Sequence, residues 1–77
     1  MAKAIILITA EPGMDREVAG KIKKIDGVQS VFLAAGLYDV VAVIDAADDA
    51  SMLSLVYDQL RVVEDIRETH TMFCLPV

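Results

Sequence analysis

Cysteine occurs once in this 77-residue chain, tryptophan is absent, and only four residues are Phe or Tyr. With Cys74 as the sole thiol, a disulfide framework within one chain is excluded, and the usage suits a reducing, cytoplasmic setting. Cys74 reads as a small, part-buried hydrophobe, because a nucleophile would need a partnered base on another element and His70 falls on the same predicted strand. Positive charge is also scarce: seven Lys and Arg stand against twelve Asp and Glu, for a net charge of −5. The one basic cluster, Lys21-Ile22-Lys23-Lys24, reads as the solvated C-terminal end of a helix, where cations suit the macrodipole. A nucleic-acid partner is therefore disfavoured. No apolar run reaches the ~18 residues a membrane span requires, so no membrane partner is expected. The four glycines are spread along the chain, which leaves no phosphate-cradling loop. One His, one Cys and scattered carboxylates make no metal cluster, and Ser30, Ser51 and Ser54 have no neighbouring base. The expectation is a binding module, not an enzyme, with no catalytic residue, metal or cofactor.

Apolar character, by contrast, is plentiful at 56 % of residues. A chain this short forms one domain, residues 1–77, and buries only roughly 60 % of its unfolded surface. The apolar excess points to an interface with another subunit. Its centre is Gly36-Leu37-Tyr38-Asp39-Val40-Val41-Ala42-Val43-Ile44, where a turn residue and a lone carboxylate lead into five consecutive apolar residues. Such a run reads as a strand covered on both faces. Two helices can cover one face of a sheet, so the other calls for a second subunit.

The run Ala4 to Ile8 is apolar at every position and predicts a second central strand. Glu11-Pro12-Gly13 ends it as a strand-to-helix turn does. From Met14, Val18, Ile22 and Ile25 follow helical spacing for about three turns, and Asp26-Gly27 stops the helix. Val28 to Ala35 alternates, with Val31 and Leu33 on one face and Ser30, Phe32 and Ala34 on the other. After the central strand, which runs to Asp45-Ala46, Asp48 or Asp49 caps a helix whose broad face is Met52, Leu55, Val56, Gln59, Leu60 and Val63. Tyr57 and Asp58 lie nearer solvent. In Ile66 to Leu75, Thr69, Thr71, Phe73 and Leu75 alternate with His70, Met72 and Cys74.

The order is βαββαβ, two similar halves whose helix-to-strand junctions are Asp26-Gly27-Val28 and Glu64-Asp65-Ile66. This predicts an α+β, ferredoxin-like sandwich: a four-stranded antiparallel sheet, two helices on one face, and a dimer across or beside the other. A copper-chaperone version would need a Cys pair at the first turn, and an RNA-recognition version would need aromatics on the central strands. Neither is present.

Within that topology, Gly36-Leu37-Tyr38-Asp39-Val40-Val41, followed by Glu68-Thr69-His70-Thr71-Met72, resembles the effector-binding domain of the Lrp/AsnC (feast/famine) transcription regulators, with their G-x-[YF]-D strand entry and final T-x-T strand. The similarity covers the whole chain. The chain departs from the usual regulator in beginning at the first strand, without a preceding helix-turn-helix domain. It thus looks like a stand-alone RAM (regulation of amino-acid metabolism) module that does not bind DNA itself. The resemblance implies a site for an amino acid or similar small effector between homodimers assembled in a ring, often an octamer, and partnership with a full-length Lrp/AsnC regulator. Asp39 matches the motif carboxylate and would accept the effector's ammonium, while backbone N–H groups near Gly36 would take its carboxylate. Tyr38 belongs to the same motif, Thr69 and Thr71 match the T-x-T pair, and Leu33 would add apolar lining.

Each position has a structural alternative. Gly36 is also a turn residue, Tyr38 a packing ring, Asp39 an acceptor for turn donors, and Thr69 and Thr71 ordinary strand residues. His70, on the opposite face of its strand, reads as exposed or interfacial. Two other readings stay open. An ACT-like amino-acid-sensing module would place its site at Glu11-Pro12-Gly13-Met14, and a small dimeric α+β-barrel enzyme would need a polar pocket between sheet and helices.

Overall fold

Along the first strand every second side chain is buried. The computed structural model describes residues 1–77, and in it β1 (Ala2–Ala10) turns Ala4, Ile6, Ile8 and Ala10 into the core. Ile5 and Leu7 face the other way and are half-buried. β1 extends past the apolar run Ala4 to Ile8 because its polar ends also pair. Lys3 lies opposite Asp45, with Nζ 2.9 Å from Oδ1, and Thr9 lies opposite Glu68.

Two helices supply the opposing wall. α1 (Asp15–Lys23) buries Val18 and Ile22. It is shorter than the predicted helix because Lys24 and Ile25 donate to the carbonyls of Lys21 and Ile22, three residues back, which tightens the last turn. α2 (Asp49–Leu55) runs into a π-helical turn (Val56–Leu60) in which the Arg61 N–H reaches the Val56 carbonyl, five residues back. Met52, Leu55, Val56 and Leu60 are buried, whereas Gln59, expected on the same face, is carried outward by the wider turn and is exposed.

The sheet order is β2-β3-β1-β4, all neighbours antiparallel, with β2 at Val28–Leu33, β3 at Val40–Ala46 and β4 at Ile66–Cys74. The two apolar runs are thus the central pair. β2 stops at Leu33 and not Ala35, because Leu33 already faces Val40, the first residue of β3, and the Ala34 N–H donates to the Asp39 carbonyl. The core of thirteen buried residues is entirely apolar, so its cohesion is hydrophobic burial and packing, with no buried polar network. Both helices lie on one face. On the other, Ile5, Leu7, Val41 and Val43 are flanked by Phe32 and Met72, which are 56 % and 46 % exposed.

Asp48 is the N-cap of α2. Its Oδ1 accepts the Ser51 N–H at 2.7 Å, which holds its carboxyl below the usual carboxylate range. Since the folded value is the depressed one, this contribution to stability is complete well above pH ~4 and is lost as pH falls below it. Asp48→Ala is therefore expected to lower the melting temperature at pH 7, and the gap between parent and variant should close on acidification. Calorimetric melts from pH 7 to 3 check this, and a gap unchanged by pH would sink it.

Candidate functional site

β1 runs two residues beyond the point where β3 begins, so on that side the Ala10 N–H has no strand opposite it. Asp39 fills the gap. Its N–H donates to the Ile8 carbonyl at 2.9 Å, and its Oδ2 accepts the Ala10 N–H at 2.8 Å, standing in for a missing backbone carbonyl. The carboxylate is half-buried, with Oδ1 left for a further donor. Asp39 is thus a structural acceptor with one oxygen and available with the other.

Just before it, Gly36 has φ +142° and nothing within 4 Å of where a Cβ would stand, so its backbone can be approached closely. The Tyr38 ring meets His70 edge to face, with centroids 5.7 Å apart, and His70 Nε2 lies 3.4 Å from Glu68 Oε2. His70 is opposite Leu7, which puts this cluster at the end of the helix-free face.

Thr69 and Thr71 lie elsewhere. Opposite Ile8 and Ile6, they share the helix-covered side of the sheet, but β4 is an edge strand that neither helix reaches across. The space between β4 and the π-helical turn is a groove of about 450 Å³ lined by Leu53, Val56, Tyr57, Arg61, Thr69, Thr71 and Phe73. Leu33 sits on β2, the opposite edge. Three strand spacings of ~4.8 Å separate β2 from β4, so roughly 14 Å lies between Leu33 and the threonines. Within one chain the structure brings Gly36, Tyr38 and Asp39 together in one connection and Thr69 with Thr71 in one groove, with Leu33 apart from the threonines.

Sequence reasoning missed the helical wall of this groove. Tyr57 reads as a residue near solvent, and its ring is exposed, but the Arg61 guanidinium lies over it at 4.8 Å from the centroid. The available signal was an aromatic four residues before an arginine on the polar side of a helix.

Comparison with known proteins bears on both halves of this description. The Lrp/AsnC ligand binding domain model matches residues 3–76. An HTH-type transcriptional regulator of Pyrococcus horikoshii is 36% identical over 72 residues, which are 90% of this chain and 48% of that protein, so the chain spans about half the length of this relative. Among solved structures, FFRP-DM1 superposes with a TM-score of 0.92 at 24% identity, covering 97% of this chain and 100% of the other. The Neisseria meningitidis regulator NMB0573, solved as its L-Met complex, gives 0.84 at 22% identity over 97% of this chain and 50% of that one. At these identities the structures show the shared ferredoxin-like fold. Extending over nearly the whole sequence, the family match decides against the ACT-like reading: the chain belongs to the Lrp/AsnC family of transcription regulators, as its ligand-binding domain.

Proposed function

We propose that this chain binds an amino acid or similar small effector at a site shared between copies, and that the copies are homodimers built on the helix-free sheet face and assembled further into a ring, with eight subunits the expected size. One observation carries the reading: Leu33 and the pair Thr69 and Thr71 lie on opposite edges of the sheet. A single amino acid cannot span the roughly 14 Å between those edges, so a site using all six positions draws them from more than one chain. The helix-free face supports the dimer. Its apolar centre, with Lys3 and Asp45 at one end and Glu68 and His70 at the other, has the apolar core and polar rim of a protein interface. The L-methionine held by the Neisseria relative supports the ligand class. The module would act on transcription through assembly with full-length Lrp/AsnC regulators. At net charge −5, the 77-residue chain itself has little attraction for duplex DNA.

The test is a thermal-shift screen against the twenty amino acids, in which a ligand at ~100 times its dissociation constant adds ~2.7 kcal/mol of stability. No shift with any of them would overturn the amino-acid reading. For the amino acid that scores, Asp39→Asn should weaken binding by roughly 10- to 150-fold, the loss of a charge-assisted contact worth ~1.5–3 kcal/mol. The asparagine keeps an acceptor for the Ala10 N–H, so its melting curve should stay near the parent's. Asp39→Ala strands that N–H and should cost about 1–3 kcal/mol of folding stability as well. Unchanged calorimetric affinity in a well-folded Asp39→Asn would leave the carboxylate a purely structural role.

A further inference from the structure

Two of the three arginines in the chain border the cavity beside β4. Arg61 and Thr69 line both the main groove and a smaller recess of about 280 Å³ that continues it past Arg67 and Ile66. The groove has a direction. Leu53, Val56 and Phe73 make one end apolar, Thr69 and Thr71 contribute hydroxyls along the floor, and Arg61 stands at the other end. From Leu53 to Arg61 the helical wall advances about 12 Å, enough for a small head group and a short chain.

The charges are as informative as the shape. Arg61 has no carboxylate within 4.0 Å. The ion pairs of the chain are Lys3 with Asp45 and Arg67 with Glu11, and Glu68 Oε2 lies beside His70 Nε2. Its guanidinium is held over the Tyr57 ring, which leaves the planar fork of N–H donors available to an anion. No acidic residue lines the groove, and Glu68, which borders the smaller recess, lies against His70. A free cation beside an apolar wall in an otherwise acidic protein selects a monoanion with an apolar tail.

We propose that this groove binds a small apolar-chain carboxylate, with the carboxylate on Arg61 and the Thr69 and Thr71 hydroxyls and the chain along Leu53, Val56 and Phe73, and that the groove does not read an amino group. The inference deepens the effector-binding reading and rests on it for the ligand's size class. It separates two recognition events: the carboxylate is taken by the groove of one chain, and the ammonium by Asp39, which lies outside that groove. A 2-oxo acid, with the same carboxylate and chain but no ammonium, is then a ligand in its own right.

Calorimetric titration of the whole chain with three probes tests this: leucine, 4-methyl-2-oxopentanoate and leucinol, which keeps the amine and chain but lacks the carboxylate. The oxo acid should bind the parent and Asp39→Asn equally well, and leucinol should not bind. Arg61→Gln should weaken the oxo acid by roughly 10- to 150-fold. Arg61→Lys should fall between, since an ammonium keeps the charge and loses the fork. Arg61 is exposed, so melting curves of both variants should match the parent's. The proposal is overturned if the oxo acid does not bind, if Arg61→Gln binds it as tightly as the parent does, or if leucinol, without a carboxylate, binds. It is also overturned if Arg61→Gln changes only the oligomeric state, which would assign the groove to a second copy of the chain. Arg61-dependent binding of the oxo acid with no response to any amino acid would leave the proposal standing and remove the amino-acid reading alone.

Discussion

Val43→Asp is expected to yield a folded monomer, abolishing the proposed dimer. Val43 is half-buried on the helix-free face, opposite Ile5 and Ser30, while its neighbours Ala42 and Ile44 point into the core. The substitution therefore places a carboxylate in the centre of the proposed dimer surface without touching the packing against the helices. In the assembled dimer each copy would bury one unpaired charge. Such a charge costs about 3–5 kcal/mol, so the two together raise the dimer dissociation constant by about 10⁴-fold or more. Protonation caps the cost, because neutralising a carboxyl of ordinary pKa at pH 7 takes about 4 kcal/mol. Acidification below pH ~4 should accordingly restore part of the dimer. Light scattering across concentration and pH, with circular dichroism to check folding, reads all of this. A Val43→Asp protein that stays dimeric would move the interface to another surface.

The same alternation that makes this variant informative made most of the fold legible. Ala4 to Ile8 and Val40 to Ile44 carry apolar side chains on both faces, the pattern of central strands, and β1 and β3 are the central pair. Val18 with Ile22 and Met52 with Leu55 and Val56 mark the buried sides of two helices by their spacing alone. The π-helical turn was not legible. It differs from an α-turn by one residue in the hydrogen-bond ladder, and the run Val56–Leu60 has no glycine or proline to announce it. The groove's helical wall was hidden for the same reason, since it is built on that turn, whereas Thr69 and Thr71 of its floor stood out through the T-x-T resemblance. Asp39 was visible as a lone carboxylate at a strand entry. Its bond to the Ala10 N–H depends on how far β1 overshoots β3, a matter of register that the local sequence does not encode.

The two halves of the chain make their helix-to-strand turns alike, and this sets up the largest expected effect on folding. Gly27 precedes β2 with φ +98°, and Asp65 precedes β4 with φ +72°, so each junction needs one residue in the left-handed region. The surroundings differ. A Cβ on Gly27 would stand 2.7 Å from Leu55 Cδ1 and 3.2 Å from the Asp45 carbonyl oxygen, whose residue donates its own N–H to the Gly27 carbonyl at 3.0 Å. Leu55 is a core side chain and the carbonyl belongs to a central strand, so neither withdraws freely. Gly27→Ala should therefore incur about 1–2 kcal/mol for left-handed backbone and about 1–3 kcal/mol for overpacking, together about 2–5 kcal/mol. At 4–8 °C per kcal/mol for a domain of this size, the melting temperature should drop by roughly 8–40 °C. Gly13→Ala is the control, because Gly13 shares the positive φ of +80° and has nothing within 4 Å of its Cβ position. It should show the backbone contribution alone. Removing the clash separately, Gly27→Ala combined with Leu55→Ala should destabilise by less than the sum of the two single changes, since the space vacated by the leucine receives the new methyl. Thermal melts of the four proteins against the parent measure both differences. Equal losses for Gly27→Ala and Gly13→Ala would mean that the junction asks only for a left-handed residue and that Leu55 moves aside at no cost.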